Sequence, residues 1–139
     1  MKKSRAILVL AAFAVAGVLR GDDVRGKEHL LCSTVQAMEC TSDGACSNRA
    51  PSDLNVPEFL EILLKDKSVA TTKASGENRS SAVRSLFREG GLIVLQGFEN
   101  GHAFSLVIDE STGSASEAVV RDGGSVSIFG VCTPVAEGK

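Results

Sequence analysis

The chain has 139 residues, with 15 Lys and Arg against 17 Asp and Glu, four cysteines, two histidines and neither tryptophan nor tyrosine. That length points to one domain with a modest core. A slightly acidic balance without any cluster of Lys or Arg argues against nucleic acid or an anionic membrane surface as a partner.

Met1-Lys2-Lys3-Ser4-Arg5 is a basic start, and Ala6 to Leu19 follow as fourteen residues without a charge. A helix that crosses a bilayer needs about 20 apolar residues, so this run reads as an export signal rather than an anchor. Ala14-Val15-Ala16 supplies an A-x-A cleavage site. The signal peptide and its cleavage region are placed at residues 1–21 and a single β-barrel domain at 22–139. Cleavage after Ala16 removes Lys2, Lys3 and Arg5 and leaves twelve cations against seventeen acids, a net charge of −5. The expected location is periplasmic or secreted, with no stable membrane span once the signal is cut.

Cys32, Cys40, Cys46 and Cys132 make an even count in an exported chain, which favours two disulfides. There is no C-x-x-C, and intervening stretches of seven, five and eighty-five residues match no zinc pattern. Three connectivities are open on count alone. Hairpin geometry narrows them: with Ser42-Asp43-Gly44 as a three-residue loop and Gly44 left-handed, Thr41 pairs with Ala45 and Cys40 faces Cys46. Cys32 is left for Cys132, a bridge from first strand to last. Pro57 to Leu64 reads as a strand, although Pro57 would also suit the first turn of a short helix. The break at Lys65-Asp66-Lys67 and the β-branched Val69, Thr71 and Thr72 make it one arm of a hairpin, and Lys73 to Ser80 is a loop. Its Asn78-Arg79-Ser80 has the form of a glycosylation acceptor and is treated as a chance match.

Turns fix the register of the rest, and a slip of one residue would invert a face. A two-residue Gly90-Gly91 turn sets Phe87 opposite Val94, Ser85 opposite Gln96 and Val83 opposite Phe98. A three-residue Glu99-Asn100-Gly101 loop sets Phe98 opposite His102, Gln96 opposite Phe104, Val94 opposite Leu106 and Leu92 opposite Ile108. Loops at Ser111-Thr112-Gly113 and Asp122-Gly123-Gly124 add Ser116, Ala118 and Val120, then Val126, Ile128, Gly130 and Cys132, to the same inward face. On the first strand Cys32, Thr34, Gln36, Met38 and Cys40 alternate with them. The fold expected is all-β: an antiparallel up-and-down meander of about eight strands closing into a small barrel, after an N-terminal signal helix.

Leu95-Gln96-Gly97, Asn100-Gly101, Ser105-Leu106-Val107-Ile108, Thr112-Gly113 and Phe129-Gly130-Val131-Cys132-Thr133-Pro134 resemble a family of small exported proteobacterial proteins of unknown function. The resemblance covers most of the mature chain, including the N-terminal cysteines and Pro57-Glu58-Phe59-Leu60. It implies export and fold and carries no catalytic residue. That family usually has an aromatic residue, often Trp, near His102 and Phe104, a position Phe104 fills here.

No nucleophile, metal or phosphate motif is present, so the chain is read as a non-enzymatic protein without a cofactor. His102 reads as a solvated turn-edge histidine. Gln96 with Ser85 forms a candidate polar site in the interior, where a buried amide needs a hydrogen bond. Asp109, Glu110 and Glu117 lack the spacing of a calcium loop. Two functional classes remain. The first is an interaction module of the cell envelope, capturing an envelope protein or a second copy of itself, on the outward strip Ile93, Leu95, Ala103, Val107 and Val119. The alternative is a carrier of a small apolar ligand, like a miniature lipocalin, with Phe87, Phe98, Phe104 and Phe129 placed to fill the interior. A filled interior would remove the carrier reading.

Overall fold

A computed structural model of the chain describes residues 20–136. The export signal expected over residues 1–21 lies outside the described residues, apart from Arg20 and Gly21. Among the described residues there are nine strands: β1 (His29–Thr41), β2 (Cys46–Arg49), β3 (Phe59–Leu63), β4 (Ser68–Thr71), β5 (Ser80–Glu89), β6 (Leu92–Glu99), β7 (His102–Asp109), β8 (Ser114–Arg121) and β9 (Gly124–Pro134). All neighbours are antiparallel, and β9 pairs back onto β1. Eight strands therefore close a barrel, with β2 as an extra arm on the far half of β1, so the all-β meander expected from the turns is the fold.

β1 serves both halves because it bends. Its first residues pair with β3, Leu30 with Ile62 and Cys32 with Leu60, while Ala37 to Cys40 pair with β2. Between them the register against β9 shifts at Val35, a β-bulge of the kind that turns a strand at a barrel corner. Thr34 stabilises the bend by donating its hydroxyl to the Pro57 carbonyl at 2.8 Å. Beyond the bulge the faces exchange. Ala37 is fully buried and Gln36 is exposed, so the simple alternation Cys32, Thr34, Gln36, Met38, Cys40 stops at Thr34.

The three-residue loop at Ser42-Asp43-Gly44 forms as expected. Gly44 has φ 87°, the Thr41 N–H donates to Ala45 at 2.9 Å, and Cys40 faces Cys46. Both disulfides expected from the hairpin register are present, Cys40–Cys46 and Cys32–Cys132. Cys32 lies directly opposite Cys132 where β1 meets β9, so the longer bridge fastens the seam at which the barrel closes.

Three other loops differ from expectation, and one of them, at Asp122-Gly123-Gly124, is a two-residue turn because Arg121 pairs with Gly124, so that Val119 rather than Val120 faces Val126. Asn100 and Gly101 both take positive φ, 49° and 83°, which makes Asn-Gly a two-residue hairpin turn and pairs Glu99 with His102. β6 is thereby shifted by one residue, and Ile93 and Leu95 are buried while Phe98 is 61% exposed. At the other end of β7 the loop has four residues, since Ile108 pairs with Ala115. Asp109 shapes it by accepting N–H bonds from Ser111 and Thr112, both at 2.9 Å. β8 therefore presents Ala115, Glu117 and Val119 inward and Ser116, Ala118 and Val120 outward. On β5 the two-residue Gly90-Gly91 turn gives the expected pairs Phe87–Val94 and Ser85–Gln96, which face solvent, and a bulge between Val83 and Ser85 pairs Val83 with Gly97 instead of Phe98 and keeps it inside.

One end of the barrel is plugged. Val24, from the segment ahead of β1, is fully buried among Leu30, Ile62, Leu64, Ile93 and Ile108. Its N–H donates to Glu110 at 2.8 Å, and Arg88 ties the plug by reaching Glu28 at 3.1 Å and Glu110. The opposite end is roofed by a 3-10 helix, Pro51–Leu54, whose Leu54 packs with Val56 on Ala37, Val126 and Ile128.

Candidate functional site

Inward positions change character along the barrel axis. Toward the plug they are Leu, Ile, Val and Cys in van der Waals contact. Toward the roof they become Thr71, Ser81, Glu99, His102, Phe104, Glu117, Val119 and Arg121, and they do not meet. A cavity of about 260 Å³ remains there, walled by these residues with Leu60, Val69 and Ile128 and roofed by Leu54 to Pro57.

The cavity follows from where the phenylalanines go. Phe87, Phe98 and Phe129 stand outside, 57%, 61% and 40% exposed, so of the four rings expected in the interior only Phe104 enters it. Phe104 itself lies against the wall. It pairs with Gly97 on β6, and a Cβ at Gly97 would sit 2.4 Å from the ring Cζ and 2.8 Å from the Ala82 carbonyl. Glycine at 97 thus lets the ring lie against the β6 backbone. The expectation of a filled interior is corrected.

Glu117 is the unusual group of this space. Its strand position places it between Leu106 on β7 and Ile128 on β9, both buried. Loss of water pushes its pKa up to about 7, and the negative charge of Glu99 on β6 adds to the shift. Among the described residues no hydrogen bond or ion pair engages the Glu117 or Glu99 carboxyl. The guanidiniums nearby are occupied. Arg121 donates to Glu39, which also accepts from Arg49 at 2.9 Å. Arg79 donates to the Asn55 carbonyl at 3.0 Å and lies 3.5 Å from Glu77.

The residues singled out from sequence divide accordingly. Ser85 and Gln96 are cross-strand partners but sit on the outer surface, because the Asn100-Gly101 turn is one residue shorter than expected. The interior polar site they were to form is instead made by Glu117 and Glu99. The outward strip also divides. Ile93 and Leu95 are core, Val119 lines the cavity, and only Ala103 and Val107 remain outside. His102 is half-buried on the cavity wall. Asp109 shapes its loop and Glu110 binds Arg88, and among the described residues no cluster of His, Cys, Asp or Glu could hold a metal. Glu117 was missed because a three-residue loop at Ser111 turns it outward. The signal that could have found it is the Asp109-x-Ser/Thr pattern, which favours a side-chain-capped, longer turn.

Comparison with protein-family models, with curated proteins and with solved structures finds no match for this chain.

Proposed function

We propose that this protein is an exported binding protein that holds a small, largely apolar molecule in the roofed end of its barrel. The observation that carries the reading is the cavity of about 260 Å³. A dry cavity of about 150 Å³ accepts benzene, so this space suits a body of about one ring with a short substituent. Apolar walls with a few convergent polar groups are the usual composition of such sites. The plug and the Cys32–Cys132 seam make the barrel rigid and leave the roof as the element that would admit a ligand. Export is supported by the basic start, the uncharged run over 6–19 and the two disulfides.

The test is a fragment screen followed by NMR amide shifts on wild type and on Val119→Trp, which fills the cavity from β8. Binding that shifts Phe104, Val119 and Ile128 and is lost in the variant supports the reading. Shifts confined to the outer surface refute it.

A second reading, an interaction module of the cell envelope, draws on the outer face of β5 to β9. Phe87, Val94, Val107, Ser116 and Phe129 run across it in one row, and Phe98, Ala103 and Val120 in another. No charged side chain stands in either row. This face replaces the strip expected from sequence and keeps its Ala103 and Val107.

A further inference from the structure

The cavity is asymmetric in charge, and that asymmetry narrows what it can hold. Glu117 and Glu99 face it without partners, whereas Arg121 and Arg79 are already held by Glu39, the Asn55 carbonyl and Glu77. The uncompensated charge is therefore negative. Around it stand hydrocarbon walls, Leu60, Val69, Val119 and Ile128, and the ring of Phe104. A carboxylate half-buried against such walls and without a partner is disfavoured as the ion, and a cation that meets it recovers that cost.

We infer that the ligand is a small primary amine on an apolar body, bound as the ammonium ion with Glu117 as its counter-ion and Glu99 as a second acceptor. This rests on the small-molecule reading of the cavity. An ammonium group carries three donors, enough to serve both carboxylates, and a cation beside the face of Phe104 gains further attraction from the ring. An anionic ligand would have to leave Glu117 protonated, and a neutral one could hydrogen-bond the carboxylates but not compensate their charge.

The charged and titratable groups that share the cavity wall with Glu117 are Glu99 on β6, His102 on β7, Arg121 on β8 and Arg79 ahead of β5, and of these Glu99 acts on its charge. An amine needs the ionised form of Glu117. With the free carboxyl half-ionised at about pH 7, affinity for an amine should drop by about tenfold from pH 8 to pH 6.

Benzylamine, benzyl alcohol and benzoate are matched probes, titrated by NMR into the disulfide-bonded protein and into Glu117→Gln, Glu99→Gln and His102→Asn at both pH values. Benzylamine is expected to bind wild type at least tenfold tighter than benzyl alcohol near neutrality, with Glu117→Gln abolishing that preference and Glu99→Gln weakening it. The His102→Asn variant should keep the pH dependence, which assigns it to Glu117. Equal or tighter binding of benzyl alcohol or benzoate, or benzylamine affinity that does not change with pH, overturns the inference while leaving the cavity a binding site. Absence of binding by all three overturns the small-molecule reading itself. Should Glu117→Gln lose its native spectrum, the wild-type comparison across pH and probe charge decides alone.

Discussion

Replacing Glu117 by Gln should change the pH dependence of folding stability in one window. The carboxyl rises from its ordinary 4.5 to about 7 in the folded barrel, so between these values the native state holds a proton that the unfolded chain has released. Stability from this group is fully present below pH 4.5 and is lost as pH rises through about 7. At 1.36 kcal/mol per pKa unit the loss is about 3 kcal/mol, a large share of the 5–15 kcal/mol that holds a typical domain together. For a chain near this size it corresponds to roughly 10 °C in Tm. Gln has no proton to release, so its own profile lacks the step. The measurement is urea unfolding of both proteins at half-unit steps from about pH 4.5 to 8.5. Because an unpartnered amide costs about 1–3 kcal/mol at every pH, only the difference in slope is diagnostic. Parallel profiles would show that Glu117 is solvated, and would place β8 one residue out of the register described here.

Two further outcomes follow from the same geometry. Removing the 100-residue bridge with Cys32→Ala and Cys132→Ala should destabilise by about 4.7 kcal/mol on chain-entropy grounds, and removing Cys40–Cys46, six residues apart, by about half as much; thermal melts of the two double variants under oxidising conditions check the order, and equal losses would mean that the barrel seam is held by its ladder alone. Leu95→Lys should unfold the barrel or cost more than about 3 kcal/mol, whereas Phe98→Lys should stay within about 0.5 kcal/mol, because Leu95 is fully buried and Phe98 is 61% exposed; the reverse order in urea melts would restore the longer Glu99-Asn100-Gly101 loop and exchange the faces of β6.

The meander, its closure and both disulfides were legible because they depend on residues whose local chemistry is decisive. Gly44 must be left-handed to close its loop, which places Cys40 beside Cys46, and an even cysteine count then assigns Cys32 to Cys132. The faces of β6 and β8 were not legible in the same way. Asn100-Gly101 admits both a two-residue and a three-residue loop, and choosing between them requires knowing that both residues take positive φ. Ser111-Thr112-Gly113 hides a longer turn organised by the Asp109 side chain, a hydrogen-bonding pattern that spacing alone does not reveal. The bulge at Val35 carries no glycine or proline to announce it. It arises from tertiary demand, since β1 must leave β3 and take up β2 while staying paired with β9.

The loop lengths have a functional consequence: the Asn100-Gly101 turn inverts β6 and carries Phe87 and Ser85 of β5 outward with it, while the longer Ser111 loop inverts β8 and the shorter Asp122-Gly123 turn restores β9. β7 and β9 keep Phe104, Leu106, Ile128 and Cys132 inward under either reading, so the seam and the disulfide were right while β6 and β8 were not. Turning β6 over exchanges Val94, Gln96 and Phe98 for Ile93, Leu95, Gly97 and Glu99. Turning β8 over exchanges Ser116, Ala118 and Val120 for Ala115, Glu117 and Val119. The first exchange takes a phenylalanine out of the barrel and places a glycine where Phe104 can lie flat, which opens the space. The second puts a carboxyl without a partner into it. A filled barrel with an apolar outer strip thereby becomes a hollow one with a half-buried, unpartnered acid on its wall.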